Sequence, residues 1–342
     1  MEAITFTAVD SLRFGSAPSP EPAAGEVCVS LRAAALNHRD LWILRGQYPG
    51  LKWPVIPGSD GAGVVSAVGE GVSPELLGRE VIINPAFGWG DAAAAQSESF
   101  SILGLPRDGT LAEAVCVPIE QLSPRPDHLD WCEAAALPLA GLTAWRALVT
   151  RAQVRAGERV LISGIGGGVA LFALQFAVAL GAEVWVSSSS PEKLARAAEL
   201  GARGGFLYTR SDWACEAVEQ TGGGFDVIID SAGGPGFGAL IDAAALGGRI
   251  AFYGATRGNV PELALRKIFF RQLSLLGSTM GSPADWVAML DCVNRHKIRP
   301  ILSARYPLAK TAEAFALMER GEQMGKIAIT MPDLGAGSLV NG

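Results

Sequence analysis

With 342 residues, 49% of them hydrophobic and 18% charged, the chain is too long for one ordinary core and long enough for two, each of about 150 residues. Its formal net charge of -6 and its scattered Lys and Arg residues exclude the basic footprint of a nucleic-acid or anionic-membrane binder. The high apolar fraction predicts extensive burial and a homo-oligomer, either dimer or tetramer.

Met1 leads directly into acidic and strand-like residues rather than a basic and then apolar segment, so a cytoplasmic location is expected. Short apolar runs at 27–31, 61–68 and 80–83, separated by turn residues, predict an antiparallel β-domain. The pattern changes near Pro138. From Arg159 onward, Val/Ile runs alternate with Ala/Leu-rich stretches: a strand at 160–163, a helix at 168–180, a strand at 184–187 and a helix at 191–200. Runs at 206–208, 227–230 and 250–253 continue the alternation, with a polar helix after Ser211. This order predicts a parallel sheet with right-handed crossovers. Helices at 284–295 and 310–320 and a strand at 326–330 follow. The last helix and strand lack neighbours of their own kind, so the chain is expected to return and complete the first domain. The predicted division is 1–124 with 294–342 against 125–293, and the tail after Pro332 is expected to fray.

The most apolar run, 169–180, is interrupted by Gln175 and closed by Gly181, well short of the roughly 20 residues that span a bilayer. Five cysteines (Cys28, Cys116, Cys132, Cys215 and Cys292) stand far apart with no CxxC spacing. They are read as reduced, buried thiols.

The first strand of the alternating half runs straight into Gly164, Ile165, Gly166, Gly167, Gly168 and Val169, then into a long apolar helix. Strand, glycine turn and helix come in the order a dinucleotide site requires. Glycine is needed there because the turn takes up positive φ and a side chain would hold a pyrophosphate away from the helix amides. Ala170 stands where the last glycine of the usual pattern would fall, which that pattern accepts. The alternative is a purely structural turn. About 20 residues further on, an NAD site usually places an acid near the ribose. Here Ser187, Ser188, Ser189 and Ser190 occupy that place, followed by Lys193. Hydroxyls and an ammonium suit a 2'-phosphate, which a carboxylate would repel, so NADPH/NADP+ is expected. A loop and helix cap with a solvated lysine is the other reading.

Four segments, 35–49 (ALNHRDLWILRGQYP), 55–71 (VIPGSDGAGVVSAVGEG), 134–144 (AAALPLAGLTA) and the glycine turn with its helix, resemble the medium-chain dehydrogenase/reductase family. The resemblance covers nearly the whole chain. It implies an α/β fold, a Rossmann doubly wound parallel sheet inserted into a discontinuous GroES-like β-domain, with an active site in the cleft between the two. Zinc-bearing members place a Cys, a His and a Cys where this chain has Asn37, Ser59 and Leu139. None of these is a zinc ligand, and catalysis by zinc needs three protein ligands and an open position. The stretch 84–111, where the structural zinc lobe would lie, contains no cysteine. A zinc-free chain is therefore expected, and His38, beside the lost cysteine, is read as a cofactor or substrate contact. The positions look like those of the zinc-free quinone oxidoreductase branch, in which Ser189, Lys193 and Tyr208 match contacts to the 2'-phosphate. Thr143, Gly254 and Lys326 also match cofactor contacts of the family, although each has an ordinary turn or surface reading. Trp42 replaces an aromatic hydroxyl that some quinone reductases carry, so that acid role does not transfer.

Without a metal to polarise an isolated carbonyl, the easiest hydride acceptor is a conjugated one, a quinone or an α,β-unsaturated carbonyl, whose charge moves to an oxygen that hydrogen bonds support. Asn37 is read as the polar orienting residue, Asp40 as its structural partner or the cap of the next helix, and Tyr48 as a proton source. Two other readings stand beside this one: a metal-independent alcohol or aldehyde oxidoreductase, and a weakly catalytic NADPH-binding sensor or scaffold.

Overall fold

A computed structural model describes residues 1–332, so the expected fraying after Pro332 lies outside the described residues. The chain divides into two compact units, one made of 1–139 with 299–342 and the other of 140–298.

The first unit opens with the hairpin β1 (Glu2–Ala8) and β2 (Ser11–Ser16), then the long strand β3 (Glu26–Ala35) and the short helix α1 (His38–Leu44). It continues through β4 (Asp60–Val68), β5 (Glu80–Ile83), β6 (Ala86–Phe87), β7 (Ser101–Ile102), β8 (Ala114–Pro118), β9 (Leu122–Pro124) and helix α2 (Trp131–Ala136). The second unit begins within α3 (Pro138–Trp145) and runs through β10 (Arg159–Ile162), α4 (Gly168–Ala179), β11 (Glu183–Ser188), α5 (Pro191–Glu199) and β12 (Gly204–Leu207). It ends with α6 (Trp213–Thr221), β13 (Phe225–Asp230), α7 (Phe237–Ala243), β14 (Ala244–Phe252), α8 (Leu265–Phe270), β15 (Ser274–Gly277) and α9 (Pro283–His296). The chain then re-enters the first unit with β16 (Leu302–Pro307), α10 (Thr311–Arg320) and β17 (Lys326–Thr330).

In the first unit the main sheet has the order β16-β17-β3-β4-β5-β9, with β8 also on β3. Two strands share one side of β3: β8 pairs with residues 26–30 and β17 with residues 33–35, both antiparallel. Every second residue of β3 (Val27, Val29, Leu31) is buried in a core that includes Ile4, Phe6, Leu36, Val115, Phe315 and Ile329. The returning strand thus completes the sheet from inside, as its lack of other neighbours required.

The second unit holds six parallel strands in the order β12-β11-β10-β13-β14-β15. Parallel strands are covered on both faces and read as continuous apolar runs, which is why the alternation was visible in the sequence. The order reverses direction between β10 and β13, and in open α/β sheets ligands bind beyond the carboxyl ends of the strands at such a reversal. Leu161, Phe206, Phe225, Ile228 and Ile250 anchor the core beneath it.

Two expectations need correction. The division falls at 139/140 and 298/299 rather than 124/125 and 293/294, because α2 packs on β3, β4 and β17 of the first unit. The cysteines are not uniformly buried: Cys215 is exposed and Cys116 half-buried, because each sits on the outward side of its element.

Candidate functional site

In the first unit the end of β3 turns into α1 at Asn37. The turn is fixed by Asp40, whose Oδ2 accepts from the Asn37 backbone N–H at 2.8 Å. This is the helix-capping role anticipated for Asp40. The Asn37 side chain is held at both ends: its Nδ2 donates to Asp60 Oδ2 at 3.0 Å, and its Oδ1 accepts from Lys326 Nζ at 2.6 Å. Lys326 also donates to the Leu36 carbonyl and to Asp60 Oδ2, each at 2.8 Å. The three ammonium hydrogens thus have three acceptors. Lys326 is 4% exposed, so its surface reading is corrected: it lies inside the sheet on β17. The other Asp60 oxygen accepts from the Leu139 N–H at 2.8 Å.

A second buried cation lies beside this cluster. Arg39 Nη1 donates to Ser59 Oγ at 2.6 Å and to the Leu103 carbonyl at 2.8 Å, while Ser59 Oγ itself donates to Leu103. The Arg39 guanidinium also covers the Tyr48 ring, 4.9 Å from its centroid, and Nε donates to the Tyr48 hydroxyl at 3.4 Å. Among the described residues, Arg39 Nη2 and Asp40 Oδ1 are buried without a hydrogen-bond partner. Burial pushes the Asp40 carboxyl up to about 6, against the lowering effect of Arg39. His38 is the first residue of α1 and is exposed.

In the second unit β10 leads into a turn in which Gly164 has φ +62 and Gly166 φ +148, angles that residues with a Cβ avoid. Gly167 caps α4 with extended backbone, and Gly168 and Val169 open the helix. A Cβ on Gly164 or Gly167 would meet nothing within 4 Å, so this backbone faces open space. A Cβ on Gly166 would stand 3.2 Å from Lys193 Cδ and 3.3 Å from its Nζ. The fold thus brings Lys193 over the glycine turn.

The serines divide. Ser187 Oγ accepts from the Gly164 N–H at 3.2 Å and Ser188 Oγ from the Ser190 N–H at 3.1 Å, and both residues are buried. Ser190 caps α5, accepting from the Lys193 N–H at 3.2 Å. Ser189 is exposed. Tyr208 is 37% exposed, and its N–H bonds to the Ser188 carbonyl at 3.0 Å, which places it beside the serine run. Thr143 is buried in α3, where its hydroxyl donates to Met280 Sδ at 3.8 Å. Gly254 follows β14, where a Cβ would come within 2.8 Å of the Ser231 carbonyl.

Residues 23–127 match the family described as alcohol dehydrogenase GroES-like domain, and residues 168–295 the family described as zinc-binding dehydrogenase. The chain belongs to the medium-chain dehydrogenase/reductase family. Within it, the chain is 36% identical to a zinc-type alcohol dehydrogenase-like protein of Leptosphaeria maculans, over 93% of this chain and 94% of that one. It is 30% identical to the acryloyl-coenzyme A reductase of Metallosphaera sedula, over 91% and 94%. A crystal structure of an NAD-dependent alcohol dehydrogenase superposes with TM-score 0.93 at 40% identity, covering 97% of this chain and all of that one. The medium-chain dehydrogenase/reductase fold therefore accounts for both units, and the chain is an oxidoreductase of this family.

Two members of the buried polar cluster escaped the sequence reading. Asp60 joins Asn37, Lys326 and Leu139, and its signal was available: it is the only charged residue in 55–69. Arg39 ties α1 to Ser59, Leu103 and Tyr48, and only its place in a short buried helix marked it.

Proposed function

We propose that this chain is a zinc-independent, NADPH-dependent reductase of quinones or α,β-unsaturated carbonyls. The observation that carries the reading is the buried cluster of Lys326, Asn37 and Asp60 with Arg39 on Ser59. Where a family zinc would need ligands, the chain offers an amide, a hydroxyl and the leucine Leu139, flanked by an ammonium and a guanidinium. None of the three positions carries a thiolate, imidazole or carboxylate, the neighbouring Asp60 carboxylate is already bonded to Asn37, Lys326 and Leu139, and two positive charges oppose a dication, so these residues do not fit zinc.

The glycine turn and the first amides of α4 suit a pyrophosphate. NADPH is supported by Lys193 over Gly166, by exposed Ser189, by Tyr208 beside the run and by the absence of a carboxylate at the end of β11. Bound NADPH supplies a hydride. In the first unit, Asn37 keeps one amide hydrogen for a substrate oxygen, with the rest of its polar atoms fixed by Asp60 and Lys326. The Tyr48 oxygen accepts from Arg39, which turns the hydroxyl hydrogen away from the guanidinium and leaves it to be given to the carbon or oxygen that receives it. Asp40 holds the turn that aims Asn37, and His38 follows it at the start of α1, where it can meet cofactor or substrate.

The acceptor class is supported by the same lack of a Lewis acid, and by a relative named for acryloyl-coenzyme A, whose acyl group is a conjugated carbonyl. Relatives named alcohol dehydrogenases favour the second reading, an alcohol or aldehyde oxidoreductase without metal. The experiment is a paired assay of an enal and its saturated aldehyde with NADPH, on chelator-treated protein whose metal content is measured. The enal is expected to react at least about 100-fold faster, the effect of one missing electrostatic stabiliser. Equal rates, or one zinc per subunit surviving chelation, would overturn the proposal. Self-association is supported by exposed Leu246, Leu265, Phe269 and Phe270, which lie near the edge strand β15. Light scattering at micromolar concentration is expected to give a dimer or tetramer mass, and a monomer mass would remove that part of the reading.

A further inference from the structure

Cys28 on β3 and Cys116 on β8 are direct partners in an antiparallel pair. The kind of pair follows from the flanking backbone bonds. The Leu31 N–H bonds to the Glu113 carbonyl at 2.8 Å and the Ile119 N–H to the Gly25 carbonyl at 3.1 Å. Hydrogen-bonded pairs therefore fall on the odd-numbered residues of β3, and Cys28 with Cys116 is a non-hydrogen-bonded pair. That is the closer kind, with Cα atoms about 4.5 Å apart, inside the roughly 4.4 to 6.8 Å that a disulfide spans.

Both side chains also share a face, as opposed residues must. Val27, Val29, Val115 and Val117 enter the core, so the two cysteines project from the other side of the sheet, where Cys116 is half-buried. Cys28 is buried on that face, and a bond there would lie on the opposite side of the sheet from Val27, Val29, Val115 and Val117. The Cys28 thiol donates to the Pro20 carbonyl at 3.9 Å; the opposed Cys116 draws Cys28 down to about 7 against the effect of burial and is itself pushed up. A thiolate beside a protonated thiol is the arrangement that attacks an oxidant and is then resolved. The other three cysteines lie on helices α2, α6 and α9.

We propose that Cys28 and Cys116 form a reversible oxidation site that closes to a cross-strand disulfide on meeting a hydroperoxide. The Cys28 thiolate attacks the outer peroxide oxygen; the O–O bond breaks, water or an alcohol leaves with a solvent proton, and Cys28 carries a sulfenic acid. The Cys116 sulfur then displaces hydroxide from that sulfur, and the departing hydroxide takes the Cys116 proton as water. Two thiols lose two electrons and the hydroperoxide gains them.

The test is a titration of the reduced full chain with hydrogen peroxide, followed by alkylation, intact mass and peptide mapping. Oxidation is expected to remove the mass of two hydrogens and two alkylatable thiols, with a Cys28–Cys116 linked peptide that dithiothreitol releases. Cys116→Ser should abolish the link and leave a trappable sulfenic acid on Cys28. Mapping the unmutated chain decides the matter even if a variant misfolds. A linkage through Cys215 instead, or oxidation of Cys28 and Cys116 to sulfinic acids without any link between them, would overturn the proposal.

Discussion

The polar cluster of the first unit and the glycine turn of the second differ in where their hydrogen bonds point. Around Asn37, buried charges bond to each other: Lys326 meets three acceptors, and Asp60 meets Asn37, Lys326 and Leu139. At the turn, backbone at Gly164 and Gly167 faces open space. The first arrangement fixes a side chain in place, and its cost of desolvation is offset within the protein. The second leaves donors for something that is not protein. Substitutions in the cluster should therefore act on stability first, and substitutions at the turn on cofactor affinity first.

The largest effect is expected for Lys326→Met, which leaves Asp60 buried without its cation. A loss of about 3 to 5 kcal/mol is expected in urea unfolding. A loss under about 1 kcal/mol would show that the cluster is not closed on itself. Next comes Asp40, whose carboxyl is raised from the ordinary 3.8 to about 6. The folded state binds the proton more tightly than the unfolded state, so stability is highest below pH 4 with respect to this group. It falls as pH rises through the window from about 4 to 6, by up to about 3 kcal/mol. Asp40→Asn keeps an acceptor for the Asn37 N–H and should flatten that slope. An unchanged slope in unfolding measured from pH 4 to 7 would remove Asp40 as its source. The smallest effect, and the one that sharpens the comparison most, is Lys193→Ala: about 1.5 to 3 kcal/mol weaker NADPH binding, little change for NADH and almost none in stability. Equal losses for the two cofactors, read by calorimetry, would place Lys193 away from the 2'-phosphate.

Sequence periodicity carried the second unit well because its strands are buried on both faces and its connections are local. The strand at 326–330 was legible to the residue, and so was its need for a partner elsewhere. What sequence could not show was pairing across distance. Asp60 lies near Asn37 and Lys326 only because β3, β4 and β17 are neighbours, and Cys28 meets Cys116 only through the register of β3 on β8. The serine run was visible as four hydroxyls, but the Gly164 N–H of the glycine turn occupies Ser187, local N–H groups occupy Ser188 and Ser190, and Ser189 is left exposed. Composition gives the number of hydroxyls, and only the turn decides which are spent locally. The boundary at 139 was hidden for a similar reason: α2 is as helical as its successors, and its packing partner is a sheet built partly from the far end of the chain.

The position of β17 between β16 and β3 also sets an order of events in biosynthesis. The parallel sheet is contiguous in sequence and can fold while the ribosome is still adding residues, since its contacts need nothing beyond residue 298. The first unit, although translated earlier, must wait with residues 33–35 of β3 unpaired on one flank and Asp60 without its lysine until residue 330 has emerged. Nascent chains of this protein therefore expose an incomplete strand edge for most of translation, and a chaperone that covers such edges would act on the oldest part of the chain, not the newest.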